Sequence, residues 1–161
     1  VSGHGAITRR HVTEITPEEW DRDIDVNLKG TFNVVQPFFD HMVDNGYGKI
    51  VCIGSVVGEI GGGGRKPGYA AAKGGIHAFA KGVAAAGAEH GVYCNVLAPA
   101  LVRTPMTEGD REYPDDYAPL GRVGDTGDVA QALLFLVSQQ SNWMTGRVIT
   151  LDGGRYGLWR P

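Results

Sequence analysis

KIVCIGS, residues 49–55, is a short and nearly continuous apolar run closed by a glycine and a serine. A strand with one face in water alternates apolar and polar residues, so an unbroken run of this length reads as a strand buried on both faces. VYCNVLAP at 92–99 is a second run of the same kind, and the segment at 147–151 is a third. Between them lie stretches of helical period: 17–45 before the first strand, 69–90 between the first and second, and 128–138 between the second and third. Helix and strand alternate three times, with connections long enough for crossovers, which specifies an α/β fold built on a parallel sheet.

Local signals set the boundaries. Thr16 is an N-cap, Pro17 occupies the first helical position and Glu18 and Glu19 fill the first turn, after which Trp20, Ile24, Leu28, Phe32 and Val35 recur at helical spacing. Gly46-Tyr47-Gly48 ends that helix, and Gly91 ends the one at 69–90, whose surface is flat with Ala and Gly. A glycine-rich loop fills 58–68. A loop punctuated by Pro99, Pro105, Pro114 and Pro119 leads through Asp125-Thr126-Gly127 to the last helix, and Asp152-Gly153-Gly154 closes the third strand. Trp20, Phe32, Phe38 and Phe39 read as core or helix-packing residues. No internal repeat or second boundary is visible, so residues 1–161 form a single domain.

Composition narrows the function. The 161 residues carry fifteen Lys and Arg against eighteen Asp and Glu, a net charge of −3, which leaves no basic face to neutralise a phosphate backbone and excludes nucleic acid as a partner. With 42% apolar and 20% charged residues the chain is too apolar to be disordered. Its 25 glycines are over twice the usual ~7% share and mark turns and close backbone approaches. Cys52 and Cys94 lack CxxC spacing or a neighbouring His, so neither a disulfide framework nor a zinc site is supported, and no other metal site is expected. No apolar run approaches a membrane span, and no leader pattern is present, so the expectation is a cytoplasmic protein without a membrane partner. The chain opens on Val1-Ser2-Gly3 without Met, as a fragment or processed product would.

Tyr69 and Lys73 stand four apart at the start of a helix, which puts both side chains on one face. An ammonium there stabilises a phenolate and draws the Tyr pKa from ~10 toward working pH, as a general acid/base requires. Ser55 sits at the carboxyl end of the first buried strand, the edge where open α/β sheets bind ligands. The plainer role for such a serine is a cap or turn residue.

Together with Asn27 in DVNLKGTF, these residues resemble a family. IVCIGSVVG around Ser55, YAAAKGGIHAFAKGVA around Tyr69 and Lys73, NVLAPALVRTPM, PLGRVGDTGDVAQALLFLVS and the terminal VITLDGG follow the order and spacing of the short-chain dehydrogenase/reductases, most closely the 3-oxoacyl-acyl-carrier-protein-reductase-like type. The resemblance spans roughly residues 7 to 154. It implies a Rossmann-like, doubly wound parallel sheet of which this is the C-terminal portion, with about three strands and three main helices. It implies an NAD- or NADP-dependent oxidoreductase that interconverts a secondary alcohol and a ketone. Tyr69 would then exchange a proton with the substrate oxygen, Ser55 would hydrogen-bond that oxygen, Lys73 would lower the Tyr69 pKa and hold the nicotinamide ribose, and Asn27 would anchor a water leading from Lys73 to solvent. Pro99, Val102 and Thr104 would line the nicotinamide, the carboxamide resting on the Val102 backbone and the Thr104 hydroxyl. The helices at 17–45 and 69–90 would form the contact of a homo-oligomer, a dimer or tetramer.

The sequence also departs from the pattern. The family opens with a strand and a TGxxxGxG pyrophosphate turn that these residues do not contain, and residues 1–7 match its NNAG segment in a single Gly. Ala100 replaces the usual Gly, and the interval from Ser55 to Tyr69 is one residue longer than the commonest. Gly58-Glu59-Ile60-Gly61-Gly62-Gly63-Gly64 satisfies GxxxGxG, yet no acidic residue closes a βαβ unit after it, so a substrate loop is the better reading. Residues 105–119 are expected to be the substrate lid. The five histidines, His4, His11, His41, His77 and His90, read as surface or capping groups, and Trp143, Tyr156 and Trp159 as aromatics of a subunit contact. An isolated chain of this kind is expected to bind cofactor weakly unless a partner chain supplies the pyrophosphate site. The alternative is a non-catalytic truncated relative acting as an assembly module. A cofactor-free lyase or dehalogenase is disfavoured, because relatives of that kind carry Arg where this chain has Lys73.

Overall fold

The computed structural model describes residues 1–105, 107 and 116–157. Three parallel strands, β1 (Gly48–Ile53), β2 (Val92–Pro99) and β3 (Val148–Leu151), form one sheet in the order β1-β2-β3. Ile53 lies opposite Leu97 and Pro99 opposite Leu151, so the carboxyl ends of all three strands share one edge. Ser2 extends the sheet past β1 through a parallel bridge to Cys52, its N–H donating to Val51 O at 3.0 Å and its carbonyl accepting the Ile53 N–H at 2.9 Å.

Side chains alternate along β1, and each set meets its own helical layer. Ile50 and Cys52 face α2 (Gly30–Asp44) and α4 (Pro67–Gly87), packing with Val35, Ile76, Ala80 and Ala84 and with Cys94 and Val96 of β2. Val51 faces the opposite way, toward Leu97 and Leu136 of α5 (Thr126–Val137). Helices on both faces of a parallel sheet are the doubly wound arrangement read from the sequence. Cys52 and Cys94 are free thiols buried in the first of these layers. Among the described residues no helix is long and apolar enough to cross a membrane.

The boundaries differ from the expected ones where side chains intervene. The helix expected over 17–45 is α1 (Pro17–Ile24), a π-helical stretch (Asp25–Lys29) and α2. Its start is as expected: the Thr16 hydroxyl accepts the Glu19 N–H, and the Glu19 carboxylate accepts the Thr16 N–H, both at 3.2 Å. The widened turn lies where Asn27 Nδ2 donates to Asp23 O at 2.8 Å and Thr31 Oγ1 donates to Asn27 O at 2.7 Å, side-chain donors inserted into the backbone ladder. The last helix starts at Thr126 rather than 128, because Asp125 caps it by accepting the Asp128 N–H at 3.0 Å. The stretch at 58–68 is not all loop: α3 (Val57–Ile60) forms a turn of helix, Gly61 to Gly64 follow with φ of 75°, 70°, 66° and 76°, and α4 begins at Pro67. Only glycine adopts four such conformations in succession at little cost.

Trp20, Phe32 and Phe38 are not core residues; they are 39%, 47% and 59% exposed. The apolar stripe of this long helix is wider than the sheet it covers. Val35, Phe39, Met42 and Val43 take the inward positions, and Phe32 is left outside, edge-on to Phe79 of α4 at 6.2 Å. Trp143 is 100% exposed and Tyr156 is exposed, while Trp159 and most of the expected lid at 105–119 lie outside the described residues.

Candidate active site

Ser55 lies just past β1, in a turn stapled to the neighbouring strand: Gly54 N–H donates to Leu97 O at 2.8 Å and Val56 N–H to Pro99 O at 3.2 Å. Its hydroxyl accepts the Val57 N–H at 3.2 Å, the cap role, and lies near enough to the Tyr69 phenol to favour its ionised form. The cap role expected of such a serine is thus filled by its contact with Val57. α3 is pressed against α4 at Gly58, where a β-carbon would come within 2.8 Å of the Gly74 nitrogen and the Lys73 carbonyl carbon. Only backbone meeting backbone brings the Ser55 turn so close to the helix that carries Tyr69 and Lys73.

Tyr69 is half-buried in the first turn of α4, and Lys73, one turn later, is 3% exposed. Lys73 Nζ donates to Ile53 O at 2.9 Å and stands 5.6 Å from the Tyr69 ring centroid. Burial pulls the Lys73 ammonium down to about 8. The Tyr69 phenol lies above its ordinary value rather than below it. Burial pushes it up and outweighs the Ser55 hydrogen bond, while Asp23 raises it and Arg9 lowers it.

Asn27 is fully buried in the π-helical stretch, Nδ2 donating to Ala6 O and Asp23 O, both at 2.8 Å. Its Oδ1 is buried without a partner. A β-carbon on Gly5 would lie 3.0 Å from that Oδ1 and 4.0 Å from Lys73 Nζ, so the two polar groups line one gap that the absent side chain of Gly5 keeps open. An orphaned acceptor beside a lysine suits a small hydrogen-bonding occupant such as water.

Of the residues expected to line a nicotinamide, Pro99 is at the site, its carbonyl holding Val56 beside Ser55. Val102 and Thr104 belong to a separate knot on the loop leaving β2. Val102 bridges to Gly124 and lines a shallow depression with Leu101, Tyr117, Leu120, Leu151 and Gly153. Thr107 Oγ1 has a single proton and lies 2.6 Å from Val102 O, so in their 3.1 Å pair Thr104 donates to Thr107 and its own oxygen keeps acceptor capacity. A carboxamide N–H fits such an acceptor.

Three residues escaped the sequence reading. Asp23 is fully buried and joins α1 to the start of α4; Asp23, Asn27 and Thr31, four apart on one helix, form a buried polar stripe. That spacing was the signal for it. Gly5 lies in the segment that matches the family poorly, and nothing local distinguishes it. His77 is neither surface nor cap: it is 7% exposed, packed beneath Gly54 and Gly58, with Nε2 unpartnered. Its place on the helix face one turn past Lys73 was legible, but its burial depended on two glycines elsewhere in the chain.

A family model described as enoyl-(acyl carrier protein) reductase matches residues 2–155. A 3-oxoacyl-acyl-carrier-protein reductase of Thermotoga maritima is 43% identical over 141 residues, covering 85% of this chain and 57% of that protein. A solved 3-oxoacyl-acyl-carrier-protein reductase from Brucella melitensis with bound NAD superposes with a TM-score of 0.87 at 32% identity, over 98% of this chain and 61% of that one. A gluconate 5-dehydrogenase from Burkholderia cenocepacia, in complex with NADP and tartrate, does so with a TM-score of 0.90 at 32% identity, over 96% and 63%. The chain thus spans about six tenths of the length of these relatives.

Proposed function

The chain belongs to the short-chain dehydrogenase/reductase family, and from that premise we propose that it serves an NAD- or NADP-dependent oxidoreductase interconverting a secondary alcohol and a ketone, with Tyr69 as the proton-exchanging group. A bound nicotinamide supplies or accepts the hydride. Ser55 hydrogen-bonds the substrate oxygen and Tyr69 gives it a proton in the reductive direction. Burial keeps the phenol protonated at neutral pH, which is the state a proton donor needs. Lys73, with its pKa at about 8, is poised to restore that proton, and a water in the gap lined by Asn27 Oδ1 and Lys73 Nζ would connect them to solvent. Pro99, the Val102 backbone and the Thr104 oxygen would hold the nicotinamide, and Lys73 would hold its ribose.

The observation that carries this reading is the convergence of Ser55, Tyr69 and Lys73 at the carboxyl edge of β1. Each is held by a different structural device: a strand-end turn, a helix start and a buried backbone acceptor. The substrate class to test first is the 3-oxoacyl thioester, named in the relative from Thermotoga maritima, followed by a polyhydroxy acid of the gluconate type. Oxidation of NADH or NADPH is followed by absorbance for the wild type and for Tyr69→Phe, Lys73→Met and Ser55→Ala, with fluorescence titration of each cofactor alongside. Loss of turnover in Tyr69→Phe with cofactor affinity retained is expected. A Tyr69→Phe chain turning over at the wild-type rate refutes the assignment.

A further inference from the structure

Asp23 is an unusual residue to find fully buried, because a carboxylate in an apolar interior is costly unless it is hydrogen-bonded on every side. Here Thr8 supplies the hydrogen bonds, and burial still pushes the Asp23 carboxyl above its ordinary value. Oδ1 accepts the Thr8 N–H at 3.0 Å and the Thr8 hydroxyl at 3.1 Å, Oδ2 lies 3.3 Å from the same nitrogen, and the backbone N–H of Tyr69 is near enough to favour the charged carboxylate. The carboxylate sits at the first turn of α4, where helical N–H groups lack partners of their own and negative charge is favoured. The fit is close. Gly68, the residue before Tyr69, has room for no side chain, since its β-carbon would stand 2.9 Å from Asp23 Oδ2. The carbonyl of Asp23 meanwhile accepts Asn27 Nδ2 at 2.8 Å. One residue thus meets three parts of the site: the loop before α1 through Thr8, Asn27 through its main chain, and the first turn of α4 at Gly68, next to Tyr69, through its side chain.

We propose that Asp23 is a positioning residue for the acid/base group: its carboxylate caps α4 from the neighbouring helix, fixes the Tyr69 backbone against Asn27, and lends the phenol a nearby negative charge. The proposal rests on reading Tyr69 as the proton-exchanging residue. A carboxylate in this place disfavours the phenolate and opposes Arg9, the group on the loop before α1 that favours it. The charged groups facing Tyr69 are therefore Asp23 from α1, Arg9 from that loop and Lys73 from α4 itself; facing Asp23 is Arg22. Asp23 sets part of the balance that keeps Tyr69 a donor rather than an anion.

The test reads Tyr69 itself and needs no turnover. The chain is labelled with tyrosine carrying 13C at Cζ, the Tyr69 signal is assigned by its loss in Tyr69→Phe, and its pH titration is followed in the wild type and in Asp23→Asn. The expected result is a downward move of the Tyr69 midpoint in Asp23→Asn, with faster hydrogen exchange of the Tyr69 amide. A lowered melting temperature with an unmoved midpoint makes Asp23 a purely structural residue and overturns the proposal. Should Asp23→Asn fail to fold, Gly68→Ala forces a methyl against Oδ2. The Tyr69 amide resonance and its exchange rate are then expected to change, and unchanged values overturn the proposal equally. A chain that shows the midpoint shift but turns over no substrate removes the oxidoreductase reading and leaves Asp23 in its place; an active chain with an unmoved midpoint does the reverse.

Discussion

Replacing Gly58 by alanine tests the contact on which the site's assembly depends. The added carbon would fall 2.8 Å from both the Gly74 nitrogen and the Lys73 carbonyl carbon, and 3.0 Å from His77 Cε1. The first two are backbone atoms inside α4 and have no rotamer to escape into. Carbon contacts relax at about 3.5–4.0 Å, so α3 must retreat from α4 by roughly half an ångström or more. Overpacking of this kind costs about 1–3 kcal/mol. Gly58 has an ordinary helical φ, so alanine also restricts the unfolded chain and returns about 0.4–1 kcal/mol. The net expectation is a loss of about 1–2 kcal/mol, read as a fall in melting temperature of about 3–6 °C for a domain of this size. The displacement reaches the site directly, because the Gly58 N–H donates to Ser55 O at 3.0 Å and moves that residue relative to Tyr69. A misplacement approaching 1 Å costs on the order of a hundredfold in rate, so about a tenfold loss of turnover is expected for half that distance. Calorimetry and the NAD(P)H absorbance assay read the two effects separately. An alanine variant as stable as the wild type refutes the packing argument, and one that is destabilised but fully active refutes the claim that this spacing sets the Ser55–Tyr69 geometry.

Gly82, in α4, is the counterpart: nothing lies within 4 Å of its missing β-carbon, so Gly82→Ala is expected to stabilise the fold by about 0.5–1 kcal/mol, and a fall in melting temperature instead would show that this face of α4 carries a subunit contact. Because burial holds the Tyr69 phenol above its ordinary value, ketone reduction should slow and alcohol oxidation quicken as pH rises into the alkaline range, a pair of opposed profiles measurable by initial rates; parallel profiles would exclude Tyr69 as the titrating group. Lys73 at about 8 against an ordinary 10.5 binds its proton less tightly folded than unfolded, so below pH 8 its charge costs the fold about 3 kcal/mol and the cost fades between those two values. Stability of the wild type relative to Lys73→Met should accordingly rise across that window in denaturant titrations, and a constant difference would contradict the burial of a charged Lys73.

Much of the fold was legible because its determinants are local. The run at 92–99 had no other way to be buried than as a strand within the sheet, and Thr16, Pro17, Glu18 and Glu19 marked a helix start in four consecutive residues. What was not legible depended on partners distant in sequence. Phe32 and Phe38 carry the period of a core face, and only the width of the sheet below decides that they stay outside. The same holds at the site. Tyr69, Lys73 and Ser55 were visible as a motif, but the upward shift of Tyr69 comes from burial and from Asp23, a residue that the helix at 17–45 presents without any mark in the sequence other than its place four before Asn27. Spacing shows which groups can meet; it does not give the dielectric in which they meet.

The glycine excess, which composition alone could assign only to turns, acquires a second meaning when the contacts are considered together. Several glycines do serve turns, with Gly61 to Gly64 in left-handed conformations. Another set has ordinary backbone angles and is required for space: Gly5 against Asn27 at 3.0 Å, Gly54 against His77 at 2.5 Å, Gly58 against Gly74 at 2.8 Å and Gly68 against Asp23 at 2.9 Å. All four surround the same edge of the sheet, and each admits a polar or backbone group that a methyl would displace. Glycine destabilises a helix by about 0.5–1 kcal/mol relative to alanine, so close approach here comes at the expense of local stability. The compensation lies in apolar packing on both faces of the sheet, where Ile76 on the α4 side and Leu97 and Leu136 on the α5 side are the largest fully buried side chains. Apolar volume on both faces of the sheet therefore holds the domain together, and the small residues of α3 and α4 leave room at this edge for a lysine, an aspartate, an asparagine and a phenol to share one interior.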